Sequence, residues 1–213
     1  MIRDLRVCFV GDSFVAGVGD PDCQGWVGRV AARTSRTGLP LTVYNLGVRR
    51  QTSEDVRARW ADECTERLPA GADCRVVFSL GVNDTTEEAG GPRVPLHRSG
   101  DHLAAMLDTA TAAGWPALVV GPPPVADEAH NRRTALVDRS FAGVCAAGGA
   151  PYVGVLTALA ATPVWMEEVR TGDGAHPGAS GYAAFADLVW PAWTSWLTSP
   201  ITGWSRAGAG ARH

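Results

Sequence analysis

The sequence predicts an α/β fold, a doubly wound three-layer α/β/α sandwich on a five-stranded parallel sheet, and three observations carry that prediction. Short apolar runs rich in β-branched residues alternate with stretches of helical spacing along almost the whole chain. The runs are too continuously apolar to leave a wet face, which implies a parallel sheet covered by helices on both sides. Each run ends near glycine or proline, so the loops that follow the strands should share one rim, where ligands bind in open sheets of this kind.

The strand candidates are Leu5–Val10, Leu41–Leu46, Arg75–Leu80, Ala117–Val120 and Tyr152–Leu156. Between them the spacing predicts helices over Trp26–Arg36, Ser53–Leu68, Leu96–Ala113 and Asp127–Ala147, with a last helix over Ala179–Leu197. The rim loops are then Gly11–Gly19, Gly47–Thr52, Gly81–Thr86 and Gly121–Val125. One domain over residues 1–197 is expected, with a peripheral tail at 198–213 that contains Gly208-Ala209-Gly210-Ala211. Trp190, Trp193 and Trp196 repeat every three residues in the last helix and read as packing against the sheet.

Composition narrows the function classes. Hydrophobic residues make up 46% of the 213 and charged residues 19%, as in a soluble globular protein, and no apolar run is long enough for a membrane span. The formal charge is −3, and the 19 basic residues, all arginine, form no basic cluster, which speaks against nucleic acid as a partner. The first strand begins almost at Met1, so no signal peptide is expected and the chain reads as cytoplasmic. Five scattered cysteines with no Cys-x-x-Cys pair suggest neither zinc nor redox chemistry. No Gly-x-Gly-x-x-Gly or Gly-x-x-x-x-Gly-Lys loop is present, which argues against a flavodoxin-like nucleotide or flavin binder, and no metal or cofactor is expected.

The chemistry concentrates at the strand ends. The first strand runs into Gly11-Asp12-Ser13-Phe14-Val15-Ala16-Gly17, which sets a serine on a strand-to-helix turn between small residues. Such a perch projects the hydroxyl toward a substrate and leaves the backbone N–H free to face a developing oxyanion. A Gly-Asp-Ser triplet would also suit any tight turn or helix cap. Three further segments distinguish the readings: Asn45-Leu46-Gly47 after the second strand, Gly81-Val82-Asn83-Asp84 after the third, and Gly172-Asp173-Gly174-Ala175-His176-Pro177 near the end, followed by Gly181-Tyr182.

Together these four segments resemble the SGNH hydrolases, the GDSL lipase and esterase family, whose signature Ser, Gly, Asn and His match Ser13, Gly47, Asn83 and His176. The resemblance runs from Val10 to about Tyr182, in the family's order. It implies the flavodoxin-like SGNH fold and cleavage of carboxylic esters through an acyl-serine intermediate. Ser13 would be the nucleophile, His176 the general base, and Asp173 the residue that orients its ring. The oxyanion hole would comprise the backbone N–H of Ser13, the backbone N–H of Gly47 and the side-chain amide of Asn83. The implied partner is a small or soluble ester. An acyltransferase using the same acyl-enzyme, or an inactive binding module, are the rival classes; the complete triad and donor set argue against the latter.

Other polar residues receive structural readings. Asp127-Glu128-Ala129-His130 repeats the Asp-x-x-His spacing, but in what reads as a solvated helix rather than a Gly and Pro loop. His97 and His102 read as surface or helix-face histidines, Asp12 as a brace of the nucleophile turn, and Asp84 as a cap of the following helix. The family often has a further glycine after the oxyanion glycine, where this chain has Arg49 and Arg50. Pointing into the cleft they could pair with a carboxylate or phosphate, and pointing outward they are surface charge, the preferred reading. Thr85–Pro95, Pro122–Arg133 and Thr162–Arg170 are the rim segments expected to set specificity, with Trp165 and Met166 as a candidate apolar wall.

Overall fold

The fold is taken from a computed structural model that describes residues 4–198. Its five-stranded sheet is parallel throughout, in the order β2 (Leu41–Gly47), β1 (Leu5–Gly11), β3 (Asp73–Ser79), β6 (Ala117–Val120) and β7 (Tyr152–Val153). The register pairs Gly11 with both Gly47 and Ser79, so β1, β2 and β3 end level and their loops open on the same rim. The helices are α1 (Ser13–Ala16), α2 (Gly25–Arg36), α3 (Ser53–Thr65), α4 (Leu96–Ala112), α5 (Glu128–Gly148), α6 (Leu156–Ala160), α7 (Pro163–Thr171) and α8 (Ala179–Thr198).

Strand β1 shows why the sheet sits in the middle. Its side chains alternate between the faces, as period-two geometry requires, so Val7 and Phe9 join one buried cluster while Cys8 and Val10 join the other. The first cluster packs Trp26 of α2, Trp165 of α7 and Phe185 and Trp193 of α8 against the sheet. The second packs Val56 and Trp60 of α3, Leu103 of α4 and Phe141 of α5 against the opposite face. Trp193 and Trp196 are buried as their spacing implied, and Trp190 is half-buried under the Arg33 guanidinium at 4.1 Å.

Three expectations need correction. Strand β2 is largely half-exposed, because it is the sheet's edge. The strand expected over Tyr152–Leu156 pairs only at Tyr152 and Val153, since β6 offers no partner beyond Val120 and α6 begins at Leu156. Thr162–Arg170, expected as a specificity-setting rim segment, is mostly α7 and contributes no residue to the groove over Ser13; Pro163 opens it in the first helical turn, where a missing N–H costs nothing. Within Thr85–Pro95 lies a hairpin of β4 (Glu87–Glu88) and β5 (Gly91–Pro92), turned by Ala89 and Gly90, both at positive φ as this turn demands. The tail proposed at 198–213 lies, beyond Thr198, outside the described residues.

Candidate active site

The turn that carries Ser13 is fixed by its neighbours. Asp12 caps α1, its Oδ1 accepting the Phe14 N–H at 3.0 Å, while its own carbonyl accepts the Ala16 N–H at 3.1 Å. Two glycines are required by close approach. A Cβ on Gly11 would lie 1.9 Å from the Ser79 carbonyl oxygen, and one on Gly47 would lie 2.2 Å from the Ala16 nitrogen. Gly47 thus packs directly against the backbone of the Ser13 turn. Gly47→Ala is expected to destabilise the protein by about 1–3 kcal/mol or to push the turn aside, as overpacking does. A lowered melting temperature together with slowed ester cleavage checks this.

Ser13, His176 and Asp173 lie in hydrogen-bonded line. The Ser13 hydroxyl donates to Nε2 of His176 at 2.7 Å, and Nδ1 of His176 donates to Oδ2 of Asp173 at 2.7 Å. The other Asp173 oxygen accepts the backbone N–H groups of Ala175 and His176 at 2.9 and 2.8 Å. Partial burial alone would raise the Asp173 carboxyl, but the hydrogen bonds from the His176 backbone and ring and from Ala175 outweigh it and hold it at about 2. An ionised Asp173 keeps the proton on Nδ1, leaving Nε2 as the acceptor that faces Ser13. The Phe14 ring packs 4.9 Å from the His176 ring, and Trp165 stacks behind Phe14 at 6.2 Å.

The residues expected to donate to an oxyanion gather at the same turn, each with a partner of its own where a side chain or loop reaches it. Asn83 donates its amide hydrogens to the Gln51 carbonyl at 3.1 Å and to Oδ2 of Asp12 at 3.3 Å. The Gly47 N–H is held by Oδ1 of Asn45 at 3.0 Å. Ser13 opens α1, where first-turn N–H groups have no intrahelical acceptor. Asp12 is buried, and burial pushes its carboxyl up to about 7 against the opposing hydrogen bonds from Phe14 and Asn83.

A groove of about 340 Å³ opens over this turn. Arg49 and Arg50 both line it, with Ser13, Asn83, His130 and His176, while both are exposed and Arg50 pairs with Glu88 at the surface. Trp165 and Met166 do not line it. Trp165 is fully buried and donates from Nε1 to the Pro124 carbonyl at 3.0 Å, and Met166 lies in the same core cluster. They stand behind the wall because α7 turns its apolar face, residues 165, 166 and 169, onto the sheet.

The competing Asp-x-x-His segment is built differently. Oδ1 of Asp127 caps α5 through the N–H groups of Ala129 and His130, and the His130 ring meets the Val82 carbonyl at 2.9 Å instead of a carboxylate. His102 is buried rather than superficial, its Nδ1 2.8 Å from the Ser53 hydroxyl. Asp84, also buried, accepts the N–H of Ser53 at the start of α3 and the Ser99 hydroxyl, so it joins α3 to α4 instead of capping the helix after it. Burial raises its carboxyl, and the bonds from Ser53 and Ser99 oppose that.

Arg59, unremarkable in the sequence, braces the rim from below. Its Nη2 donates to the carbonyls of Gly11 and Leu46, at 3.1 and 2.9 Å, and its Nε to the Gln51 side chain. One guanidinium therefore ties together the ends of β1 and β2 and the loop whose carbonyl holds Asn83. Among the described residues no three His, Cys, Asp or Glu side chains cluster as a metal site would need, and no helix is long and apolar enough to cross a membrane.

The chain is similar to known proteins in the same terms. The model of the GDSL-like lipase/acylhydrolase family matches residues 9–184. Esterase TesA of Pseudomonas aeruginosa is 32% identical over 197 residues, covering 85% of this chain and 84% of TesA. The uncharacterized protein YpmR of Bacillus subtilis is 36% identical over 82 residues, covering 38% of this chain and only 32% of YpmR. A crystal structure of TesA superposes with a TM-score of 0.75 at 25% identity, covering 90% of this chain and 99% of that one. The chain belongs to the GDSL-like lipase/acylhydrolase family, whose members are carboxylic ester hydrolases.

Proposed function

We propose that the protein hydrolyses small, soluble carboxylic esters through an acyl-Ser13 intermediate. The observation that carries the reading is the line of hydrogen bonds from Ser13 through His176 to Asp173, with 2.7 Å at each step. In the first half-reaction the Ser13 oxygen attacks the ester carbonyl as Nε2 of His176 takes its proton. The imidazolium, stabilised by ionised Asp173, then protonates the departing alcohol. Water then attacks the acyl carbonyl as the same Nε2 takes its proton, and that proton passes to the Ser13 oxygen as its bond to the acyl carbon breaks and the acid leaves.

Negative charge develops on the carbonyl oxygen at the Ser13 turn. Asn83 and Gly47 can exchange their bonds to the amide oxygens of Gln51 and Asn45 for one to the oxyanion, because a charged oxygen is a stronger acceptor than a neutral amide oxygen, while the second Asn83 N–H stays on Asp12. Asn83→Ala should lower kcat about a hundredfold to a thousandfold, the usual loss for one donor at a developing oxyanion. Turnover of p-nitrophenyl acetate by the purified variant, with its melting temperature as the check on folding, measures this.

The size of the groove supports short acyl groups. Hydrolysis of p-nitrophenyl acetate, butyrate and palmitate tests the reading: the two short esters should be cleaved faster, and a preference for palmitate would contradict it. Delivery of the acyl group to an alcohol uses the same first half-reaction. Product analysis with and without added alcohol separates the two, and free acid is the expected product in both cases.

A further inference from the structure

The order of strands sets the order of charges along the groove. From one edge of the sheet the rim carries the loop after β2 with Arg49 and Arg50, then Ser13 after β1, Asn83 after β3, and Asp127 after β6. The groove is therefore cationic at its β2 end and anionic at its β6 end, with the nucleophile between. Asp127 stays ionised there, since the N–H groups of His130 and Ala129 hold its carboxyl below the usual range.

The cations near the β2 end are occupied, with one exception. Arg50 pairs with Glu88 at 3.2 Å, and Arg93 spends a guanidinium N–H on the Arg50 carbonyl at 2.7 Å while facing Glu88 at 3.7 Å. Arg133, on α5 at the β6 side, is likewise occupied: it pairs with Glu87 at 3.5 Å and donates to the Thr85 carbonyl. These bonds fix the turn, in which Arg50 sits at a φ of 65°, a conformation uncommon for a side-chain-bearing residue. Arg49, on the same turn and lining the same groove, has no hydrogen bond or ion pair among the described residues. A planar guanidinium with unused donors on a pinned backbone suits the oxygens of a carboxylate or phosphate.

The triad decides which part of the ester would carry that charge. The departing alcohol must face Nε2 of His176, whose loop packs on the β6 side, where the Ala126 N–H bonds the Gly174 carbonyl beside Asp127. An anionic alcohol portion would meet Asp127 there, whereas the acyl portion extends the other way, toward Arg49. We infer that the substrate is an ester whose acyl portion bears a negatively charged group, recognised by Arg49. This rests on the reading of Ser13 as nucleophile and His176 as proton donor to the leaving alcohol.

The test compares kcat/KM for matched alkyl esters in the full-length protein. Monoethyl glutarate against ethyl valerate places a carboxylate on the acyl side, and 4-acetoxybutyrate against butyl acetate places it on the alcohol side. Monoethyl glutarate should be preferred over ethyl valerate on the order of tenfold, as one charge-assisted pair at an accessible site allows. That ratio should collapse in Arg49→Met and survive in part in Arg49→Lys, whose rescue a merely structural role for the side chain would not give. An equal ratio in wild type and Arg49→Met overturns the inference, as does a preference for 4-acetoxybutyrate over butyl acetate in place of the acyl-side preference. A phosphate at the end of the acyl chain, tested against the carboxylate, distinguishes the two sources of charge, and either one preferred over the neutral ester supports the inference. Cleavage of p-nitrophenyl acetate runs alongside: its absence in folded wild type defeats the hydrolase reading itself, while its presence without charge selectivity defeats only the Arg49 inference.

Discussion

Ser13→Ala is expected to lower kcat for p-nitrophenyl acetate by about five to six orders of magnitude while leaving the protein folded. The loss is large because, among the described residues, the hydroxyl hydrogen-bonded to Nε2 of His176 is that of Ser13. Folding should survive because α1 is capped by Asp12 and, among the described residues, the Ser13 hydroxyl bonds the His176 ring alone. His176→Ala should cost about as much, and the double variant hardly more than either alone, since residues that act as a unit are not additive. Steady-state rates of the three variants, with melting curves as controls, check the expectation. A double variant slower than each single one by a further large factor would show that the two side chains act separately.

Asp173→Asn should lower kcat by about four orders of magnitude, through the tautomer rather than the geometry. The asparagine oxygen can keep the N–H groups of Ala175 and His176 that Oδ1 now accepts, so the loop should hold its shape. Its amide NH2 then faces Nδ1, which must become the acceptor, and the ring proton moves to Nε2. An Nε2–H cannot take the Ser13 proton. The measurement is kcat for the same ester across neutral and alkaline pH, together with a circular dichroism spectrum matching wild type. Retention of wild-type turnover would mean that Asp173 only shapes the loop.

The parts of the site legible in the sequence are those whose chemistry is local. Gly11-Asp12-Ser13 and the Asp173 to His176 loop each encode their own turn, and a parallel sheet brings strand-end loops together whatever their distance along the chain. What stayed hidden depends on partners far apart in sequence. Arg59 reads as one more helical arginine until its guanidinium is seen between the ends of β1 and β2. Asp84 and His102 are buried through Ser53 and Ser99 on other helices, and His130 reaches the groove because α5 starts beside Val82. For α7 the signal was present, since Trp165, Met166 and Val169 repeat at helical spacing after Pro163, but rim position suggested a wall where there is core. That Arg49 and Arg50 border the groove while exposed follows from a turn pinned by Arg93 and Glu88, which spacing does not encode.

Labelling with a fluorophosphonate, followed by intact-mass measurement and peptide mapping, tests the central claim most directly, because it requires an activated serine and no knowledge of the natural ester. Wild type should take one adduct per chain on the peptide carrying Ser13, and Ser13→Ala and His176→Ala should take none at the same exposure. A folded wild type that stays unlabelled, or an adduct on any residue other than Ser13, would contradict the assignment of Ser13 as a nucleophile activated by His176.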